Sequence, residues 1–169
     1  MSRDVYAELL AMVGEQAGPF ESEDEVNRAM IRHWCEAMED ANPLYTDEDY
    51  ARTSEYGGVI APPPMVQAYC LAPLWPRKET GDPLAKATRL MDEAGYHGVV
   101  ATGTSQEYIR PLRPGDRVSY TIRLAGVSPE KNTRVGRGHF ITAEYSYSNQ
   151  HGELVCVQPF TVLKFKPAG

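Results

Sequence analysis

Apolar residues recur at two different spacings along the chain, and the switch between them divides it near residue 96. In the first part the spacing is helical. Val5, Leu9, Met12 and Val13 fall at i, i+4, i+7 and i+8, one face of a 3.6-residue period. Gly14 and then Gly18-Pro19 stop that helix, and the acidic run Glu21 to Glu25 reads as a solvated linker. Asn27 is a good N-cap for a buried helix over 28–39, in which Met30, Ile31, Trp34 and Met38 form the apolar stripe and His33 lies on its flank. Pro43 cannot continue that helix. Thr46 with Asp47, Glu48 and Asp49 then predicts a short capped helix through Arg52. Tyr56-Gly57-Gly58 breaks it, and Pro64 suits the first turn of a buried helix over 65–74. Residues 75–95 interrupt the pattern with the turn signals Trp75-Pro76 and Gly81-Asp82-Pro83. Leu84, Ala87, Leu90 and Met91 predict one short helix there, ended by Gly95, and the region is a candidate lid or pocket wall.

From residue 96 the period becomes two. A strand is expected over 97–109, then a tight turn at Arg113-Pro114-Gly115-Asp116. Val118, Tyr120, Ile122 and Leu124 alternate with polar residues, a half-buried strand. A turn over 128–132, a third strand carrying Phe140, Ile141, Tyr145 and Tyr147, and a hairpin loop over 148–153 follow. A fourth strand runs over 154–165 with a bulge expected at Pro159. Helices first and an antiparallel meander afterwards make an α+β fold, a sheet wrapped on a helix, in one domain over 1–169.

Composition narrows the function more than the fold. With 169 residues and 42% hydrophobic residues the chain buries a core without disulfides or a structural metal. Its net charge of −6 argues against a nucleic-acid partner. Cys35, Cys70 and Cys156 are far apart with no paired spacing, which suits buried thiols in a reducing compartment. No signal-peptide core and no apolar run near the ~20 residues of a membrane span occur, so the expectation is a cytoplasmic protein.

The stretch with chemistry is Glu39-Asp40-Ala41-Asn42-Pro43-Leu44-Tyr45. A carboxylate at Asp40 and an amide at Asn42 are suited to orienting a water. Adding that water to an activated double bond also needs a group that moves a proton near neutral pH, for which histidine is the usual choice. Here the aromatic position is Tyr45, whose ordinary pKa near 10 makes it a poor base. The same residues equally suit a helix terminator with Tyr45 packed on it. Arg110, Lys131, Arg134 and Arg137 are candidate contacts for a phosphorylated cofactor, and each also suits a solvated surface charge. No histidine pair or triad spacing, no glycine-rich phosphate loop and no GxSxG elbow is present.

The stretch 39–45 resembles the loop of MaoC-like, R-specific enoyl-CoA hydratases, which reads Gly-Asp-x-Asn-Pro-aliphatic-His. Asp40, Asn42, Pro43 and Leu44 match, and the family's histidine falls on Tyr45. The resemblance continues through 46–51, Gly57-Gly58-Val59-Ile60-Ala61-Pro62-Pro63 and Arg110-Pro111-Leu112-Arg113-Pro114-Gly115-Asp116. It implies a hotdog fold that pairs with a second hotdog. A narrower resemblance, carried by Ala61-Pro62-Pro63-Pro64-Met65, Met91-Asp92-Glu93-Ala94-Gly95-Tyr96 and the closing residues 163–169, is to the MaoC-like half of the larger subunit of actinobacterial steroid side-chain enoyl-CoA hydratases. That resemblance implies a smaller hotdog partner carrying the aspartate–histidine dyad and a steroid acyl-CoA as substrate, with no other cofactor and no metal. It leaves Asp40 and Tyr45 as degenerate dyad positions, and Asn42 with Tyr45 as substrate contacts. It also implies that an acyl-CoA-binding zinc-ribbon/OB domain follows in the full-length protein and meets a thiolase- or aldolase-type partner. Three alternatives stay open: a self-sufficient hydratase using Asp40 with Tyr45, an acyl-CoA-binding or scaffolding module without hydratase activity, and a thioesterase.

Overall fold

The computed structural model describes residues 4–73, 75–76 and 80–167. Helix α1 (Val5–Ala11) is capped by the Asp4 carboxylate, which accepts from the Ala7 amide at 3.1 Å. Helix α2 (Arg28–Met38) starts at Asn27, whose side-chain oxygen accepts from the Met30 amide at 2.9 Å. It ends at Glu39, which takes the left-handed conformation (φ 54°) of a helix C-terminus. Its expected stripe is half right. Ile31 and Cys35 are buried, but Met38 is 61% exposed because the helix ends there and the chain turns away.

The short helices α3 (Pro43–Thr46) and α4 (Glu48–Thr53) follow, the second capped by Asp47 rather than Thr46. The helix expected over 65–74 shrinks to a 3₁₀ turn (Pro63–Met65) and one turn of α5 (Val66–Tyr69), while Leu74 lies outside the described residues. Helix α6 (Pro83–Glu93) starts at Asp82 as the spacing predicts. Ala87 and Met91 are fully buried against the sheet, so α6 is core rather than lid.

The strands are β1 (Gln16–Glu21), β2 (Gly98–Thr104), β3 (Glu107–Tyr108), β4 (Ser119–Val127), β5 (Lys131–Thr133), β6 (Gly136–Ser148) and β7 (Leu154–Pro167). Their order is β1-β4-β6-β7-β2, with β3 pairing β7 and β5 pairing β6. All pairings are antiparallel. The simple meander is therefore corrected. β1 is an unexpected strand over Gly18-Pro19, which were read as a helix stop, and it meets the expected linker only at Glu21, while β2 crosses back to the far edge beside β7. The strand expected over 97–109 is two short strands, because β2 and β3 take different halves of β7.

The bulge expected at Pro159 is also absent. Pro159 pairs in register with Glu144, and on its other side it falls between the ends of β2 and β3. Only its carbonyl is used there, accepting from the Thr104 hydroxyl at 3.1 Å. A proline without an N–H is tolerated in an inner strand because the neighbouring edge is interrupted at that point.

Alternation along β4, β6 and β7 puts Ile122, Leu124, Ile141, Ala143, Tyr147 and Val162 on one face. That inner face is covered by two groups of helices. α1 and α6 cover one end of the sheet, around Leu9, Met91, Leu124 and Ile141. α2, α4 and residues 59–69 cover the other end, around Ile31, Ala51, Met65, Val118 and Tyr147. This is the α+β hotdog arrangement, in which α5 ends at Tyr69 and α6 begins at Pro83.

Candidate functional site

The loop after α2 is held by its own side chains. The Asp40 Oδ1 accepts from the Asn42 amide at 3.0 Å, and the Asn42 Oδ1 accepts from the Leu44 amide at 3.0 Å, capping α3. The Thr46 hydroxyl donates to the Asn42 carbonyl at 3.1 Å. These are local side-chain-to-backbone bonds of the kind that fix turns. Tyr45 lies half-buried against the core end that holds Cys35 and Met65. Burial first, then the Asp40 carboxylate, push its phenol above the ordinary tyrosine value. The shift moves it away from accepting a proton from water near neutral pH. Asp40, Asn42 and Tyr45 are thus brought together, but as a capped turn beside a phenol that stays protonated.

A bowl of about 530 Å³ opens beside this loop, lined by Asp40, Tyr45, Cys35 and, from the first two turns of α2, Arg28 and Arg32. Those two arginines were not singled out from the sequence. Their i, i+4 spacing on the helix that leads into the loop is the signal that puts them on one side. Arg28 reaches Glu48 at 3.8 Å and Arg32 reaches Glu36 at 3.8 Å.

The four cations proposed for coenzyme A do not converge. Arg110 sits near the start of β7, its amide donating to the Val155 carbonyl at 3.2 Å and its guanidinium 3.6 Å from Glu153. Lys131, Arg134 and Arg137 lie on β5, its turn and the start of β6. Arg137 and Tyr147, the latter in the core end beside the loop, are ten residues apart on β6, about 33 Å of strand. One bound cofactor headgroup therefore meets Arg110 or the β5–β6 group within this chain, not both.

A second cavity, of about 610 Å³, lies between the end of α5, the start of α6 and the sheet. Gln67, Cys70 and Leu71 approach it from the end of α5, Thr80 and Asp82 from the start of α6, and Tyr120, Tyr145 and Phe160 from the sheet. One wall is a hydrogen-bonded amide: Gln158 Nε2 donates to Gln67 Oε1 and Thr104 Oγ1, both at 3.0 Å, and its Oε1 accepts from the Tyr147 hydroxyl at 2.9 Å. Sequence reading passed over these residues because tyrosines alternating along a strand look like ordinary core. The expectation that residues 75–95 make room for a ligand survives in part, since Thr80 and Asp82 line the cavity. Residues 77–79 are outside those described.

The remaining histidines have local roles. His33 is 3.5 Å from Glu36 and His97 is 3.8 Å from Asp92, while buried His139 has its Nδ1 2.9 Å from the Ser128 carbonyl. The cysteines are free thiols. Among the described residues no group of histidine, cysteine and carboxylate side chains is arranged to hold a metal ion. No helix of the described residues is long and apolar enough to cross a membrane.

The decisive comparison is with a family model for the FAS1-like dehydratase domain region, which matches residues 11–158. The chain belongs to this FAS1-like dehydratase family. Within the family's reach it is 42% identical over 169 residues to the "Probable enoyl-CoA hydratase alpha subunit" of Thermomonospora curvata, covering 97% of this chain and 53% of that protein. It is 41% identical over 162 residues to the "3-oxo-4,17-pregnadiene-20-carboxyl-CoA hydratase alpha subunit" of Mycobacterium tuberculosis, covering 90% of this chain and 50% of that protein. The chain spans about half the length of these curated relatives. Its backbone matches a chain of the ChsH1–ChsH2 complex from M. tuberculosis with a TM-score of 0.89 at 38% identity, over 98% of this chain and 92% of that one. A MaoC-like dehydratase from Rhodospirillum rubrum, 22% identical with a TM-score of 0.62 over 93% of this chain and 94% of that one, shares the fold. The FAS1-like dehydratase assignment thus bears out the MaoC-like resemblance read from residues 39–51, 57–63 and 110–116.

Proposed function

We propose that this chain is the substrate-accommodating, non-catalytic hotdog subunit of a heteromeric enoyl-CoA hydratase acting on an α,β-unsaturated steroid side-chain acyl-CoA. The observation that carries this is the loop at 39–45. Its aspartate is engaged with the Asn42 amide of its own turn, and its base position is a phenol pushed up in pKa by burial and by that aspartate. Histidine is the usual group for moving a proton near neutral pH in such a site, and this loop has none. A smaller hotdog subunit with an intact aspartate–histidine loop supplies it under this reading. Similarity to the alpha subunits of two hydratases, and to a chain of a two-protein complex, supports the assignment.

An open sheet edge supports the partner. β2 and β3 lie along the outside of β7, with Val99, Val100, Tyr108 and Ile109 all exposed. Unpaired backbone groups along such an edge suit addition of another strand. The proposed reaction needs no cofactor beyond the coenzyme A of the substrate itself, and it belongs in the cytoplasm. A C-terminal zinc-ribbon/OB domain with its thiolase- or aldolase-type partner extends the same proposal to the half of the relatives' length not spanned here.

The test is co-purification with a small hotdog protein carrying an intact Asp-x-Asn-Pro-x-His loop, followed by hydration assays on enoyl-CoA esters. Activity is expected only in the complex, surviving Asp40→Ala here and lost when the partner's loop histidine is replaced. Full activity of the isolated chain overturns the proposal in favour of a self-sufficient enzyme. A complex that hydrates no enoyl-CoA points instead to an acyl-CoA-binding module.

A further inference from the structure

The cavity between α5 and α6 carries three tyrosine rings in mutual contact. Ring centroids are 5.8 Å apart for Tyr120 and Tyr145, 6.1 Å for Tyr120 and Tyr147, and 6.2 Å for Tyr145 and Tyr147. Their hydroxyls are not equivalent. Tyr147 donates to Gln158, whose amide is fully engaged by Gln67, Thr104 and that phenol. Tyr120 and Tyr145 line the cavity and make no hydrogen bond with any described residue. Nearby Asp82 makes no bond to either; its carboxylate accepts from the Ala85 amide and the Thr80 hydroxyl. Burial, then the Asp82 charge, hold both phenols above the ordinary value, so each keeps its proton. The cavity therefore presents two O–H donors on an aromatic wall beside Leu71, Cys70 and Phe160, with the already bonded Gln67, Thr80, Asp82 and Gln158 on its polar side. Hydrogen-bonding groups left without a partner in a pocket fix ligand orientation and set specificity.

We propose that Tyr120 and Tyr145 are specificity-determining residues that donate hydrogen bonds to a ketone oxygen on the ring system of the acyl group. This rests on the reading above that the chain holds a steroid-type acyl group. A ketone oxygen only accepts, and its two lone pairs can take the protons of both hydroxyls at once. A volume of about 610 Å³ is within the range of pockets that enclose a ligand of several fused rings. The aromatic wall complements a flat ring face, where a simple unbranched acyl chain leaves the two donors unpaired.

The test is calorimetric binding of two probes to the full chain, a 3-oxo-pregnene-20-carboxylate and its 3-deoxy counterpart. The ketone is expected to bind about tenfold tighter or more, the worth of one to two hydrogen bonds. Tyr120→Phe and Tyr145→Phe should each narrow that ratio, and the double variant should remove it while leaving binding of the deoxy probe unchanged. Tyr147→Phe is the control, since its hydroxyl serves Gln158, and it should shift both probes alike. Near-ultraviolet circular dichroism checks that each variant is folded. An unchanged ratio in the folded double variant overturns the proposal, as does failure of both probes to bind the wild-type chain. The readout needs no hydration. Ketone-selective binding without hydratase activity in any complex sinks the function above and leaves this assignment standing, and hydration without ketone selectivity does the reverse.

Discussion

Gly138 shows how little slack single positions on the outer face have. A Cβ there would meet the Lys164 carbonyl oxygen at 2.1 Å and the Phe165 Cα at 2.7 Å, both backbone atoms of the neighbouring strand that cannot swing aside. At Gly103 a Cβ meets nothing within 4 Å. Gly138→Ala should therefore destabilise the fold by about 1–3 kcal/mol or more, the usual cost of overpacking, and Gly103→Ala should be near neutral; urea unfolding compares the two. Buried acids give a second residue-scale expectation. Burial raises the Cys156 thiol from 9.0 to about 11 and the Cys70 thiol from 9.0 to about 12. Burial, helped by its hydrogen bond to Glu130, raises the Tyr96 phenol from 10.0 to about 12. Each folded-state value lies above the unfolded one. The stability linked to these groups is thus complete below pH 9 and is lost as the pH climbs through 11 to 12. Unfolding curves should hold steady from pH 7 to 9 and weaken beyond, and iodoacetamide at pH 8 should modify the unfolded chain much faster than the native one.

Between elements, one buried charge ties α6 to β7. The Lys164 ammonium is almost wholly buried and donates to Asp92 at 2.5 Å, while Asp92 keeps about half its surface in water. Removing the carboxylate strands a buried charge, whereas removing the charge leaves an acid that water can serve. Asp92→Ala should cost more stability than Lys164→Met, and thermal melts of the pair will show the order. Helices such as α6 and α2 were legible because a capping Asp82 or Asn27 precedes a stripe at helical period, so local rules and tertiary need agree. β1 was not, since Gly18 and Pro19 spoil its period and its partner is β4, with Gln16 beside Arg123. The site was legible unevenly for the same reason. Residues 40–45 are contiguous, so their caps and the missing histidine could be read directly. The cavity draws Gln67, Asp82, Tyr120 and Gln158 from four separate stretches, and no local pattern marks residues that meet only after the sheet forms.

At the scale of the whole molecule, β2 is an edge strand on the rim of the sheet, and its outer side pairs with no other described strand. β2 is exposed along nearly its whole length, and Val100 on it is 43% exposed. A lysine at that position sits in water in the isolated chain, so Val100→Lys should change its stability by less than about 0.5 kcal/mol. In a complex built on that rim the same lysine is trapped without a counter-charge, and size-exclusion chromatography should show the complex dissociating while the subunit still melts cooperatively.

That rim also bears on how the protein has to be made. A chain with a long unsatisfied strand at its border is well behaved only while something lies against it, and surplus copies will find each other if they find nothing else. Its solubility then becomes a matter of dosage. Under the proposed pairing it should clump as its concentration rises when synthesised alone and stay dispersed when synthesised in step with a matching chain, the border of a single β-sheet then tying the supply of the two together.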